Sequence, residues 1–132
     1  MKTFGIESSI PVLPMLDEAK GRAFYVDYLG YEVDWEHRFG EDASSPLYME
    51  IRLGDSVIHL NGHAELGAPV CEVRIPVRDF KGYCECLALR AEGTGFEPPE
   101  IVDPRYEGRL TDMNIVDPFG NHLVFWTPNR LA

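Results

Sequence analysis

PVLPMLDEAKGRAFYVDYLGYEVDW, residues 11–35, opens as a proline-punctuated apolar strand, runs into a helix and ends in aromatics interleaved with acids. Asp17 stands where a helix N-cap belongs and Gly30 where a helix stops. A short acceptor side chain satisfies the first free N–H groups of a helix, and glycine tolerates the left-handed turn at its end. Beyond this stretch the chain alternates as strands YEVDWEHRF, LYMEIRLG and DSVIHLN. The first half therefore reads βαβββ.

The second half repeats that order. Strand CEVRIPV leads to Asp79 as N-cap, then to helix FKGYCECLALRAEG ending near Gly93, and then to strands LTDMNIVD and NHLVFWT. The proline-rich segment FEPPEIVD completes the repeat if it holds a short edge strand. Turn glycines Gly54 and Gly120 are each followed by Asp or Asn and an apolar run, as a connection between antiparallel strands requires. The expectation is an α+β domain over residues 1–132, built from half-repeats of about 5–66 and 67–130. Each sheet carries a helix on one face and turns its other face toward a cleft.

Composition fits this reading. With 45% hydrophobic residues the chain can bury a sizeable core, and no low-complexity run interrupts it. A net charge of −10 repels phosphate backbones and anionic membranes and attracts cations. No stretch approaches the roughly 18 apolar residues of a membrane helix. Three cysteines, Cys71, Cys84 and Cys86, are an odd number in a chain large enough to fold without disulfides, and point to a reducing cytoplasm. Neither nucleic acid nor membrane is an expected partner.

In combination, IPVLPMLDEAKGRAFYVDYLGYEVDWEHRF, LGDSVIHL, VRIPVRDF and VDPFGNHLVFW span nearly the whole chain. They resemble the vicinal oxygen chelate superfamily of glyoxalases and extradiol dioxygenases, and more closely its bleomycin-resistance branch. The resemblance implies metal-ligand positions seven residues before each helix-capping Asp and four residues past each turn Gly. In this chain those positions are Ile10, Ile58, Glu72 and Val124. Isoleucine and valine offer no donor, so neither a metal nor any other cofactor is expected. His122 shares a strand face with Val124, whereas His59 is expected to point away from Ile58 and the cleft.

The resemblance further implies a non-catalytic homodimer that sequesters a cationic antibiotic in aromatic-lined clefts between subunits. Asp34 and Trp35 match that branch's acidic-aromatic pair, Phe39 matches its loop phenylalanine, and Pro11 matches the kink where an N-terminal strand crosses between subunits. The chain departs from the branch in PRYEGRLTDMNIVDP, where it has Thr111 at an arginine position and no tryptophan in the loop; Tyr106 is the nearest substitute. The candidate ligand residues are Asp34, Trp35, Phe39, Tyr106, His122 and Trp126, since aromatics beside acids hold flat cations by stacking and cation–π contact. Phe24, Tyr25 and Phe125 are expected in the core. The competing readings are a glyoxalase-type metal-dependent lyase, or another enzyme of the superfamily, and a dimeric interaction module whose cleft is merely core.

Overall fold

The computed structural model describes residues 2–65, 67–105 and 108–129, the side chains of 103–105 excepted. Strand β1 (Val12–Pro14) leads into helix α1 (Glu18–Arg22), which continues without a break as a π-helical stretch, Ala23–Tyr28. Strands β2 (Glu32–Arg38), β3 (Leu47–Leu53) and β4 (Ser56–Asn61) complete the first half. The second half follows the same order, with β5 (Glu72–Pro76), α2 (Phe80–Thr94), β6 (Glu100–Arg105), β7 (Leu110–Val116) and β8 (His122–Pro128). One sheet is ordered β1-β4-β3-β2 and the other β5-β8-β7-β6, with β1 parallel to β4 and β5 parallel to β8. The fold is α+β with two βαβββ halves, and the proline-rich segment does carry the edge strand β6.

Both helix caps form as their sequence requires. Asp17 Oδ1 accepts from the Lys20 N–H at 3.0 Å, and Asp79 Oδ1 accepts from the Gly82 N–H at 3.1 Å. Helix α2 runs past Gly93 and stops at Gly95, whose φ of 82° is the left-handed conformation that glycine takes without strain. Strand β1 is shorter than the apolar run around it, because Pro11 and Pro14 have no N–H to give a ladder.

Alternation along the strands sorts the two faces of the first sheet. Leu47, Met49, Ile51, Ile58 and Leu60 are buried in one core with Phe24, Tyr25 and Tyr28 of the π-helical stretch and Leu29 at its end. The π-helical stretch makes this possible: the Leu29 N–H donates to the Phe24 carbonyl, five residues back, and the widened turn brings all four side chains inward. Phe24, Tyr25 and Phe125 are buried, as expected. Burial of side chains this large contributes about 1.5–3 kcal/mol each.

Helix–helix contacts and a buried polar knot join the halves. The Tyr83 hydroxyl donates to the Leu29 carbonyl at 2.8 Å, and an Arg90 guanidinium N–H donates to the Tyr28 carbonyl at 3.1 Å. Asp117, in the β7–β8 connection, accepts from the Tyr25 hydroxyl at 2.6 Å and from the Asn121 amide at 2.7 Å. It also accepts from the backbone N–H groups of Phe119 and Asn121. Asn121 in turn donates to the Pro14 carbonyl and accepts from the Cys71 N–H. The Asp-Pro-Phe-Gly-Asn turn is thus a clasp across the two halves. Burial, and then the Asp117 charge, push the Tyr25 hydroxyl far above the usual phenol range, so it serves as a donor throughout. No helix among the described residues is long and apolar enough to cross a membrane.

Candidate functional site

The face of the first sheet that α1 leaves uncovered carries an aromatic patch. A β-bulge between Val33 and Trp35 shifts the register of β2, so Trp35 pairs with Glu50 and His37 with Tyr48. Without the bulge a period of two would put Trp35 on the same face as Val33, toward the core. Trp35 instead stands outward, 44% exposed, stacked on Tyr48 with ring centroids 6.0 Å apart and planes at 15°. Its ring also meets His59 edge-on at 5.3 Å. Phe39, 52% exposed, extends the patch beside Tyr48, His37 and His63.

Under the aromatics runs a hydrogen-bonded chain. The Tyr48 hydroxyl lies 2.8 Å from His59 Nδ1, and His59 Nε2 lies 3.0 Å from Glu50 Oε1. Glu50 and His59 are largely covered by their neighbours. Asp34 sits in the bulge, where its carboxylate accepts from Arg52 Nε at 3.1 Å. Its charge is therefore paired within the sheet, and the acid that faces Trp35 in the ladder is Glu50. Burial pushes the Tyr48 hydroxyl above its usual value.

This arrangement corrects the sequence reading of β4. Counting from the turn glycines places Ile58 in the site and His59 behind it, but Ile58 is wholly buried in the core and His59 stands among the outward aromatics. The two turns differ in length: β3 and β4 are joined by the two-residue turn Gly54–Asp55, and β7 and β8 by the five residues 117–121. Equal counts from the two glycines therefore land on opposite faces.

On the second sheet, His122, Val124 and Trp126 alternate onto the face away from the core, opposite Glu72, Arg74 and Pro76 of β5. His122 is exposed, and Val124 is buried. The Arg74 guanidinium lies 5.8 Å from the Trp126 ring centroid and pairs with Asp112 at 2.8 Å. That tryptophan face is already occupied by a cation. Tyr106 lies outside the described residues.

The four mapped metal positions do not converge. Ile10 is in the exposed segment before β1, Ile58 is core, Glu72 is exposed on β5 and Val124 offers no donor. Among the described residues no three His, Cys, Asp or Glu side chains come together as ligands. A catalytic metal does not fit this donor set.

Between the halves lies a groove of about 940 Å³, lined by Pro11 and Val57 on one side and by Arg74, Val77, Tyr83 and Phe125 on the other. None of Asp34, Trp35, Phe39, His122 or Trp126 lines it. The structure thus brings Asp34, Trp35 and Phe39 together on one sheet, and His122 and Trp126 on the other. Tyr48 and Glu50 were not singled out in the sequence and His59 was expected to face away, although the alternation of LYMEIRL and VIHL with buried Leu and Ile carries the signal.

No curated protein matches the chain in sequence. Among solved structures, a bleomycin-binding protein in complex with bleomycin aligns at a TM-score of 0.64 and 20% identity, over 95% of this chain and 100% of that one. A bleomycin resistance determinant encoded on a transposon aligns at 0.62 and 19%, over 96% and 100%. A lactoylglutathione lyase from Agrobacterium tumefaciens aligns at 0.63 and 16%, over 92% and 94%. At these identities the likeness establishes a shared fold and leaves the ligand open. The family model described as glyoxalase superfamily protein matches residues 1–130, and the chain is a member of that superfamily.

Proposed function

We propose that this protein binds a planar, cationic small molecule of the bleomycin type and acts by stoichiometric sequestration, without catalysis. The observation that carries this reading is the exposed stack of Trp35 on Tyr48, extended by Phe39 and backed by Glu50, in a chain of net charge −10. Aromatic faces above a carboxylate attract a flat cation by stacking and cation–π contact, worth about 0.5–2 kcal/mol per ring. A glyoxalase-type lyase, the alternative reading, would need converging metal donors that the described residues do not supply.

In this reading residues 1–132 work as one domain within a homodimer in the cytoplasm. Several features support a second copy. Strands β1 and β5 are sheet edges, the groove runs beside them, and the segment before β1 exposes Phe4 at 86% and Ile6 at 82%. Unpaired edges and exposed apolar side chains of this kind are commonly covered by an isologous partner. The second sheet of that partner, with His122, Trp126 and the loop of Tyr106, would supply the opposing wall over Asp34, Trp35 and Phe39. Three free cysteines agree with a reducing compartment.

Titration calorimetry with bleomycin tests the proposal. We expect saturable binding near one ligand per subunit, with the antibiotic recovered chemically unchanged. Failure to bind bleomycin, or recovery of a converted product, would refute sequestration.

A further inference from the structure

His59 is the one residue of the aromatic patch whose hydrogen bonds fix the polarity of its neighbours. A carboxylate only accepts, so the contact from His59 Nε2 to Glu50 Oε1 at 3.0 Å puts the proton of the neutral ring on Nε2. Nδ1 is then an acceptor, and the Tyr48 hydroxyl, 2.8 Å away, must donate to it. With that proton committed, Tyr48 turns only lone pairs to the outside. Glu50 Oε2 receives no hydrogen bond from any described residue, and it too is an acceptor.

The other groups facing His59 do not change this polarity. On β3 the outward side chains are Tyr48, Glu50 and Arg52, and Arg52 is held by Asp34 of β2. His37 of β2 faces Tyr48 in the ladder and packs on Phe39. On β4 the flanking outward residues are Val57 and Asn61, and β1 presents the uncharged Val12 in register with His59.

We propose that the Glu50–His59–Tyr48 chain determines the specificity of this face, selecting planar cations that carry N–H donors while His59 is neutral and releasing them when His59 gains a proton. The inference rests on the reading of the face as a binding platform. Protonation makes Nδ1 a donor, so Tyr48 must accept from it and turn its own O–H outward. One proton therefore both reverses the hydrogen-bond polarity of Tyr48 and adds a positive charge beneath Trp35. Histidine is the side chain that changes charge between about pH 5 and 8.

Two permanently charged planar dyes separate donor recognition from simple stacking: ethidium has two aromatic amino groups, and N-methylacridinium has none. At pH 8 we expect the protein to bind ethidium about tenfold more tightly than N-methylacridinium, the worth of roughly one charge-assisted hydrogen bond. At pH 5.5 that preference should shrink to what the remaining acceptor, Glu50 Oε2, supplies, and in His59→Gln, which cannot titrate, ethidium affinity should be the same at both pH values. A preference undiminished at pH 5.5, or the same acid loss in His59→Gln, would overturn the proposal. Should His59→Gln fail to fold, nitrogen-15 spectra of the wild-type imidazole decide: a proton on Nε2 at pH 8 is the expected result, and one on Nδ1 overturns it. Bleomycin binding without any discrimination between the dyes refutes the specificity role and leaves the platform standing. Absence of binding by bleomycin and both dyes refutes the platform, and the specificity role with it.

Discussion

Two acids flank Trp35 and are not equivalent. Asp34 is neutralised locally by Arg52 at 3.1 Å, whereas Glu50 uses one oxygen on His59 and its other receives no hydrogen bond from any described residue. Removing the charge of a partnered surface acid costs little, while removing an acceptor beneath a bound cation costs a charge-assisted contact. Bleomycin affinity should therefore fall by less than about threefold in Asp34→Asn and by about tenfold in Glu50→Gln, measured by calorimetry at low salt. The sequence picks out Asp34 because it adjoins Trp35. Its pairing with Arg52, eighteen positions away, depends on the β2–β3 register, which local pattern does not set.

At the scale of elements, the order of strands and helices was legible because apolar alternation, the caps Asp17 and Asp79 and the turn glycines agree with one another. The phase of β4 was not, because it depends on turn length, and a single residue of slip exchanges Ile58 for His59. The bulge in β2 was equally hidden, since VDW carries no sign that the register shifts between Val33 and Trp35. Helix α1 is tied to β2 by ion pairs: Glu18 bonds Arg22 and Arg38, and Arg22 also bonds Glu36 at 2.9 Å. The Arg38 hydrogen bond, opposed by partial burial and aided by Arg22, holds the Glu18 carboxyl below its usual 4.5. A lowered carboxyl value means stability that is present above pH 4.5 and lost as the pH falls through the folded-state value. The pair is partly exposed and screened, so its contribution should be under about 1 kcal/mol. Thermal melts of wild type and Glu18→Gln should differ at pH 6, converge near pH 3, and draw together in high salt; curves that diverge on acidification would contradict this.

At the scale of the whole molecule, the halves are held by the buried Asp117 and Asn121 together with the helix–helix contacts, rather than by pairing between their sheets. Asp117→Ala would leave Tyr25 and Asn121 donors without their acceptor in the interior. We expect a loss of about 2–4 kcal/mol in urea unfolding, against about 1 kcal/mol for Tyr25→Phe, which leaves the other donors satisfied. Assembly should be equally testable: light scattering at micromolar concentration should give a dimer mass, and a compact monomer would contradict the two-walled site. The claim on which the functional account turns is that Trp35 is a ligand surface and not core. Bleomycin should quench tryptophan fluorescence saturably in the wild type. Trp35→Ala should keep its circular dichroism and melting temperature yet bind bleomycin roughly 1–3 kcal/mol more weakly, the cost of losing an aromatic anchor. A Trp35→Ala protein that unfolds, or one that binds bleomycin as tightly as the wild type, would contradict it.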